Sequence, residues 1–254
     1  MSLTTTLTAG APRVAPETGS LVDRAVRAVT DHIRSNALRV GDTLPGEAHF
    51  AVSLGVSRAV MREAFGALAA LRLIDVGNGR KPRVAAIDGS VIASSLDHAV
   101  STAQITVPEV WDVRRTIEVR TAALAAECRT AAEAEQIVAL ADAMAGAMDD
   151  FPAMSRHDIA FHEAIARASH NALFVQIVSS FAPLMEVAVP AAWHTRGTYD
   201  RRHLMIERHH AVAHAIMRGD PDAAAAAMEA HFDAAIGDVL KTESGADPTR
   251  FMAS

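Results

Sequence analysis

Asp158 and His162, in the run RHDIAFHEAIA, stand four residues apart, so both side chains project from one face of a helix. His209, in ERHHAVAHAIMRGD, shares its face with Met205, Val212 and Ile216, and His231, in AMEAHFDAAI, lies on a stripe with Met228, Ala235 and Val239. One carboxylate and three imidazoles on apolar helix faces are the donors that a borderline divalent ion takes, zinc first, with nickel and manganese as alternatives. Four protein ligands on an octahedral ion leave two positions for water or an anionic ligand. Taken singly, a histidine on an apolar face is more often a hydrogen-bonded core residue than a ligand, and that reading stays open for each position. His210 and His214 face away from the His209 stripe and are expected at the surface, with His210 the substitute if the register differs. His157, His170, His194 and His203 are read as loop or exposed positions. Glu163 and Asn171 are the candidate partners for the second ring nitrogen of His162.

The segment EVWDVRRTIEVRTAALAAE places Arg114 and Glu118 one helical turn apart. Arginine is a good two-point partner for a carboxylate, so an inward Arg114 would hold a carboxylate effector beside the ion. Equally open is an exposed Arg114–Glu118 ion pair worth about 0.3–0.5 kcal/mol. Trp193 and Arg196, in PAAWHTRGTYD, are candidates for the mouth of the same pocket.

A second group of residues suits nucleic acid. Ser57 offers an N-cap, and Arg58 and Arg62 follow at the start of one helix, on one face. Beyond it, Leu73, Ile74 and Val76 form a short strand, Gly77-Asn78-Gly79 a tight turn, and Arg83-Val84-Ala85 the returning strand, with Arg80 and Lys81 at the tip. In a helix-turn-helix the start of the second helix reaches base edges while neighbouring basic groups grip phosphates.

These side chains need rigid elements to present them. The 254 residues are 50% hydrophobic and 21% charged, which excludes disorder of the whole, and the 4% aromatic content favours helices packed through small side chains. The fold class expected is mainly α: an N-terminal winged helix-turn-helix followed by an antiparallel all-α helical bundle that serves as effector domain. Residues 1–20 read as a flexible tail, 21–88 as the DNA-binding domain, 89–106 as a connector with a helix over Val91–Val100, 107–242 as the effector- and metal-binding domain, and 243–254 as a tail. In the first part, helices run from Leu21 to near Leu38, Glu47–Ser53 and Arg58–Leu71. In the second they run Glu109–Cys128, Ala131–Met148, Met154–Ser169, Ala172–Val189 with a break near Pro183, Asp200–Arg218 and Pro221–Lys241. Turn signals stand at Pro152, Asn171, Pro190 and Gly219-Asp220-Pro221.

Charge divides the same way. Residues 1–88 hold 11 Lys+Arg and 8 Asp+Glu, a net of +3, whereas residues 89–254 hold 13 and 22, a net of −9, together with ten of the 12 histidines. The single cysteine, Cys128, makes no internal disulfide, and the first 20 residues lack the apolar core of a signal peptide. A cytoplasmic protein with no membrane partner is expected.

The stretch GDTLPGEAHFAVSLGVSRAVMREAFGALAALRLIDVGNGRKPRV resembles the winged-helix head of the GntR family of bacterial transcription regulators. The helical body resembles the C-terminal FCD effector domain of that family's FadR-type branch, and the likeness covers roughly residues 21–241. It implies that Arg58 and Arg62 contact DNA, with Ser57 at the same helix start, and that Asn78, Gly79, Arg80 and Lys81 lie against the minor groove or its phosphates. It further implies that Asp158, His162, His209 and His231 bind metal, and that Arg114 stands at the start of the effector domain in an R-xx-I-E pattern. One departure is Ala48, followed by His49, where many relatives carry Arg after the Glu of the LPxE turn; a contact to DNA is missing there or supplied elsewhere.

The function expected is a homodimeric, metabolite-responsive transcription regulator, because one head makes too few base contacts and two heads related by a two-fold read a palindromic operator on double-stranded DNA. The effector expected is a small carboxylate, a hydroxy acid or sugar acid, both of which the resembled family uses. The rival is a metal-dependent enzyme of the helical-bundle type. It lacks a second cluster of Glu ligands for a dinuclear centre, an HExxH motif and a Gly-rich phosphate loop. A DNA-binding architectural protein without effector is the third reading, against which the metal constellation argues.

Overall fold

The computed structural model describes residues 19–77, 79–195 and 198–243, and side chains among them outside 191–195 and 236–243. Two compact units divide between Ile87 and Asp88.

In the first unit α1 (Leu21–Ser35) opens on a capping box: the Ser20 hydroxyl accepts from Asp23 N, and the Asp23 carboxylate accepts from Ser20 N. α2 (Glu47–Leu54) ends at Gly55, whose φ of 65° is the left-handed conformation that stops a helix and turns the chain. Two residues later Ser57 caps α3 (Arg58–Ala70) by accepting from Val60 N at 3.2 Å. Ala25 and Val29 of α1, Phe50 of α2, Met61, Phe65 and Leu68 of α3 and Ile74 close one buried core. The wing is shorter than its apolar pattern predicts: β1 (Ile74–Asp75) pairs antiparallel with β2 (Arg83–Val84), Ile74 opposite Val84, and Thr43 bridges to Arg83 from the other side. Val76 and Leu73 are exposed rather than in the strand.

The second unit is all helix among the described residues: α4 (Ser90–Ser101), α5 (Val107–Cys128), α6 (Ala131–Gly146), α7 (Phe151–Ala168), α8 (Ala172–Ser180), α9 (Ala182–Thr195), α10 (Tyr199–Arg218) and α11 (Pro221–Glu243). Capping boxes at Thr106/Glu109 and Thr130/Glu133 start α5 and α6, while Asp150, Asn171 and Thr198 cap α7, α8 and α10. Helix α11 lies against α5, α9 and α10, and α7 against α5, α6 and α9, around a core that includes Trp111, Ile137, Phe161, Met185, Ile216 and Phe232.

Three turn signals act otherwise than their residue types suggest. Pro152 sits in the first turn of α7, where a missing N–H costs nothing, so that helix starts at Phe151 rather than Met154. The break read near Pro183 falls at Phe181, and Pro183 occupies the first turn of α9. Pro190, read as a terminator, lies inside α9. An interior proline costs about 3 kcal/mol, and burial of Phe181, Met185 and Val189 in the bundle offsets it. Among the described residues no single helix is long and apolar enough to cross a membrane, and α8 and the first part of α9 are bent by 47° at their junction.

Candidate DNA-binding face and metal centre

On the first unit the exposed residues Ser57, Arg58 and Arg62 stand at the start of α3. The Ser57 hydroxyl oxygen accepts in the cap, and Arg58 and Arg62 are the long donors there. Arg62 leans toward Glu47, Nε to Oε2 at 4.0 Å, with 78% of its side chain exposed. Such a contact is weak enough for a phosphate to displace. Gly79 supplies the φ of 72° that turns the wing tip, with Arg80 and Lys81 exposed beside it. Asn78 lies outside the described residues. Ala48 and His49 are both exposed on α2, and the His49 ring meets Phe50 edge-on.

In the second unit Asp158 and His162 on α7, His209 on α10 and His231 on α11 are all buried, at 7%, 3%, 1% and 4% exposure. One donor atom from each of His162, His209 and His231 lies within 4.8 Å of the other two, and Asp158 Oδ1 stands 3.1 Å from His209 Nε2. Phe161 and Phe232 wall the cluster with ring edges and faces.

The donor chemistry suits an ion. His209 Nδ1 faces the Met205 carbonyl at 2.9 Å, an arrangement that places the ring proton on Nδ1. The remaining nitrogen, Nε2, then presents a lone pair to the Asp158 carboxylate. Two acceptors facing each other need a cation between them, either a second proton on the ring or a metal ion. Burial pushes the Asp158 carboxyl upward, but with the rings protonated the His209 hydrogen bond and the charges of His162, His209 and His231 outweigh it and hold the group well below the usual carboxylate range. Asp158 is therefore an ionised donor at neutral pH.

Arg114 is neither exposed nor free. It is 3% exposed, its Nε donates to Glu118 Oε1 at 2.7 Å, and its guanidinium sits among the rings of Trp111, Phe181 and Phe232 at 5.2, 5.9 and 5.4 Å. The exposed ion pair is thus corrected to a buried one. Glu118 also answers the question of the second nitrogen of His162: its Oε2 is in close contact with His162 Nδ1. Glu163 instead pairs with Arg167, and Asn171 caps α8. Burial raises the Glu118 carboxyl, yet Arg114 and His162 outweigh that and hold it below its ordinary value. The signal for Glu118 was present in the chain, since Trp111, Arg114, Glu118, Thr121, Ala122 and Ala125 recur on one helical face and all are buried.

Elsewhere, His210 is half-buried with Nε2 2.8 Å from Asp142, His214 is exposed, His170 meets Glu133 at 3.0 Å, and His203 meets Glu207 at 3.4 Å. His157 lies half-buried on α7, not in a loop. Trp193 falls within α9; its side chain, that of His194, and Arg196 lie outside what is described.

A short α2–turn–α3 pair with a two-stranded wing, joined in one chain to a helical domain with a buried histidine cluster, defines a DNA-binding regulator with a sensory domain. Residues 21–84 match the family described as "Bacterial regulatory proteins, gntR family", and residues 109–234 match the "FCD domain". The chain is 32% identical over 205 residues to the Glc operon transcriptional activator of Escherichia coli (strain K12), a match spanning 78% of this chain and 81% of that protein. To the galactonate operon transcriptional repressor of the same strain it is 28% identical over 208 residues, spanning 80% and 89%. A solved structure of Streptococcus agalactiae GntR shares the fold, with a TM-score of 0.60 and 22% identity over 84% of this chain and 97% of that one. The chain belongs to the GntR family and carries an FCD domain. It is a metabolite-responsive DNA-binding transcription regulator, and the enzyme reading falls, since these relatives are transcriptional regulators.

Proposed function

We propose that the chain acts as a homodimer that binds a palindromic operator through residues 21–88 and releases or engages it under control of a small carboxylate bound at a metal ion within residues 107–242. Ser57, Arg58, Arg62, Asn78, Gly79, Arg80 and Lys81 form the DNA-binding set, and Asp158, His162, His209 and His231 hold the ion, with zinc the first choice.

The observation that carries the effector reading is the charge of the buried centre. With the imidazoles neutral and both carboxylates ionised, the buried polar groups here include two carboxylates, Asp158 and Glu118, and one guanidinium, Arg114, a single excess negative charge. A divalent ion reverses that excess to one positive charge in an apolar surrounding, where an unbalanced charge is costly. A monocarboxylate ligand restores neutrality. A 2-hydroxy acid does so with two oxygens for the ion's two remaining positions, and galactonate, after which one relative's operon is named, is such an acid. Arg114 is the only buried arginine among the described residues. Beyond the Nε–H given to Glu118 and the Nη1 contact with the Met185 sulfur, its remaining N–H groups are the donors for an effector carboxylate.

A thermal-shift screen of 2-hydroxy and sugar acids, with and without chelator, tests this. Stabilisation by an acid only when zinc is present is the expected result. An acid that stabilises equally in chelator, or zinc-loaded protein that answers no carboxylate, overturns it. Calorimetric titration of the active acid then tests Arg114: Arg114→Lys weakens binding nearly as much as Arg114→Ala, because an ammonium cannot reproduce a planar two-point contact.

A further inference from the structure

Glu118 is 1% exposed on α5, a helix that contributes none of the four proposed ligands. A carboxylate buried among apolar side chains is costly unless its oxygens are fully used. Each faces a nitrogen: Oε1 accepts from Arg114 Nε, and Oε2 stands in close contact with His162 Nδ1, a buried nitrogen with no other hydrogen-bond partner among the described residues, across the α5–α7 contact.

A histidine that ligates a metal through one ring nitrogen presents the other as an N–H to an acceptor, which sets the tautomer and the ring orientation. For His209 that acceptor is the Met205 carbonyl, part of its own helix. For His162 the nitrogen that meets an acceptor is again Nδ1, and the acceptor is the Glu118 side chain. On its other oxygen Glu118 is held by Arg114, whose guanidinium lies among the rings of Trp111, Phe181 and Phe232.

The geometry points to Glu118 as the positioning residue of the metal centre: it takes the Nδ1 proton of His162 in a hydrogen bond, leaves Nε2 as the coordinating nitrogen, and is held in place by Arg114. Glu118 does not ligate the ion. Its negative charge makes the imidazole a stronger donor, which a backbone carbonyl does less well. This rests on the metal reading above.

Zinc alone is the probe. Competition against a chromophoric chelator with the full chain gives zinc affinity for wild type, Glu118→Gln and Glu118→Ala. Loss of an acceptor beside a ligating histidine typically weakens metal binding by about 10- to 100-fold, and that is the loss expected for Glu118→Ala. Glu118→Gln falls between, because its amide oxygen still accepts from Nδ1 without the charge. Wild-type affinity in a natively folded Glu118→Ala overturns the assignment. Nitrogen-15 imidazole spectra of the zinc-loaded wild type supply a readout that needs no variant to fold: Nδ1 protonated and Nε2 metal-bound at His162 is expected, and the reverse overturns the assignment while leaving the metal site standing. Wild-type protein that takes up no zinc overturns both.

Discussion

Arg114 and Glu118, one turn apart on α5, form an ion pair of 2.7 Å whose side chains are 4% and 1% exposed. The same spacing on a helix surface is worth a few tenths of a kcal/mol, but burial changes the accounting, because neither partner has water to fall back on. Arg114→Ala strands the Glu118 carboxylate and is expected to destabilise the protein by about 3–5 kcal/mol. The double change Arg114→Leu with Glu118→Leu removes both charges and recovers most of that loss while still weakening zinc binding. Urea unfolding of the three proteins, beside zinc titration, separates stability from the positioning of His162.

Removing the ion is expected to lower the melting temperature and abolish the effector response together. A ligand present at a thousand times its dissociation constant stabilises by about 4 kcal/mol. For a domain of this size that is a shift of about 2–4 °C per kcal/mol. His209→Ala and His231→Ala should melt like the chelated wild type and carry less than a full equivalent of zinc by elemental analysis. Full metal content in both would move the site elsewhere.

At the DNA face, Arg58→Ala and Arg62→Ala are each expected to weaken operator binding by about 1–3 kcal/mol without changing oligomeric state. A gel-shift titration repeated over a salt series sorts them. The residue that grips phosphate reduces the salt slope, and the one that reads a base relaxes sequence preference. The Glu47 contact makes a specific addition: Glu47→Gln frees Arg62 and should not weaken binding.

Acid sensitivity has a source outside the metal centre. The Thr130 backbone hydrogen bond and, with it, His170 and the Thr130 hydroxyl hold the Glu133 carboxyl below its ordinary value, against the opposing effect of burial. A folded-state pKa below the unfolded one means that Glu133 stabilises α6 fully above the ordinary glutamate range and loses that contribution as pH falls through the lowered value. Glu133→Gln should therefore cost stability at neutral pH and progressively less as the solution is acidified, measured by urea unfolding across that range.

Gly89 precedes α4 with a φ of 71°, and a β-carbon there would stand 2.7 Å from the Gln176 carbonyl oxygen of α8. Gly89→Ala is expected to cost about 1–3 kcal/mol from the backbone conformation, with the steric clash added. Gly46→Ala, where φ is −78° and nothing lies within 4 Å, is the control and should lose only the N-cap preference for Gly, a smaller cost in the same unfolding measurement.

Much of this was determined by the sequence alone. Helical period marked α1, α3, α5 and α10, and cap residues such as Ser57 marked starts, because these depend on local geometry and short-range hydrogen bonds. The spacing of Asp158 and His162 already put both on one helical face, and the apolar stripes of His209 and His231 set those two on faces that a bundle buries. The prolines misled where local chemistry permits two outcomes: Pro152 and Pro183 fit a first helical turn as well as a terminus, and Pro190 is carried through α9 by its packing. Only tertiary structure decided that α7, α10 and α11 bring their histidines within 4.8 Å, and that α5 sets Glu118 against His162. It also decided the state of Arg114. An i,i+4 pair reads the same from sequence in water or in a core, and whether it is a surface trifle or a buried support depends on Trp111, Phe181 and Phe232, two of which lie far along the chain. Burial is a property of neighbours that only folding supplies, and with it comes the low dielectric that makes a charge pair matter.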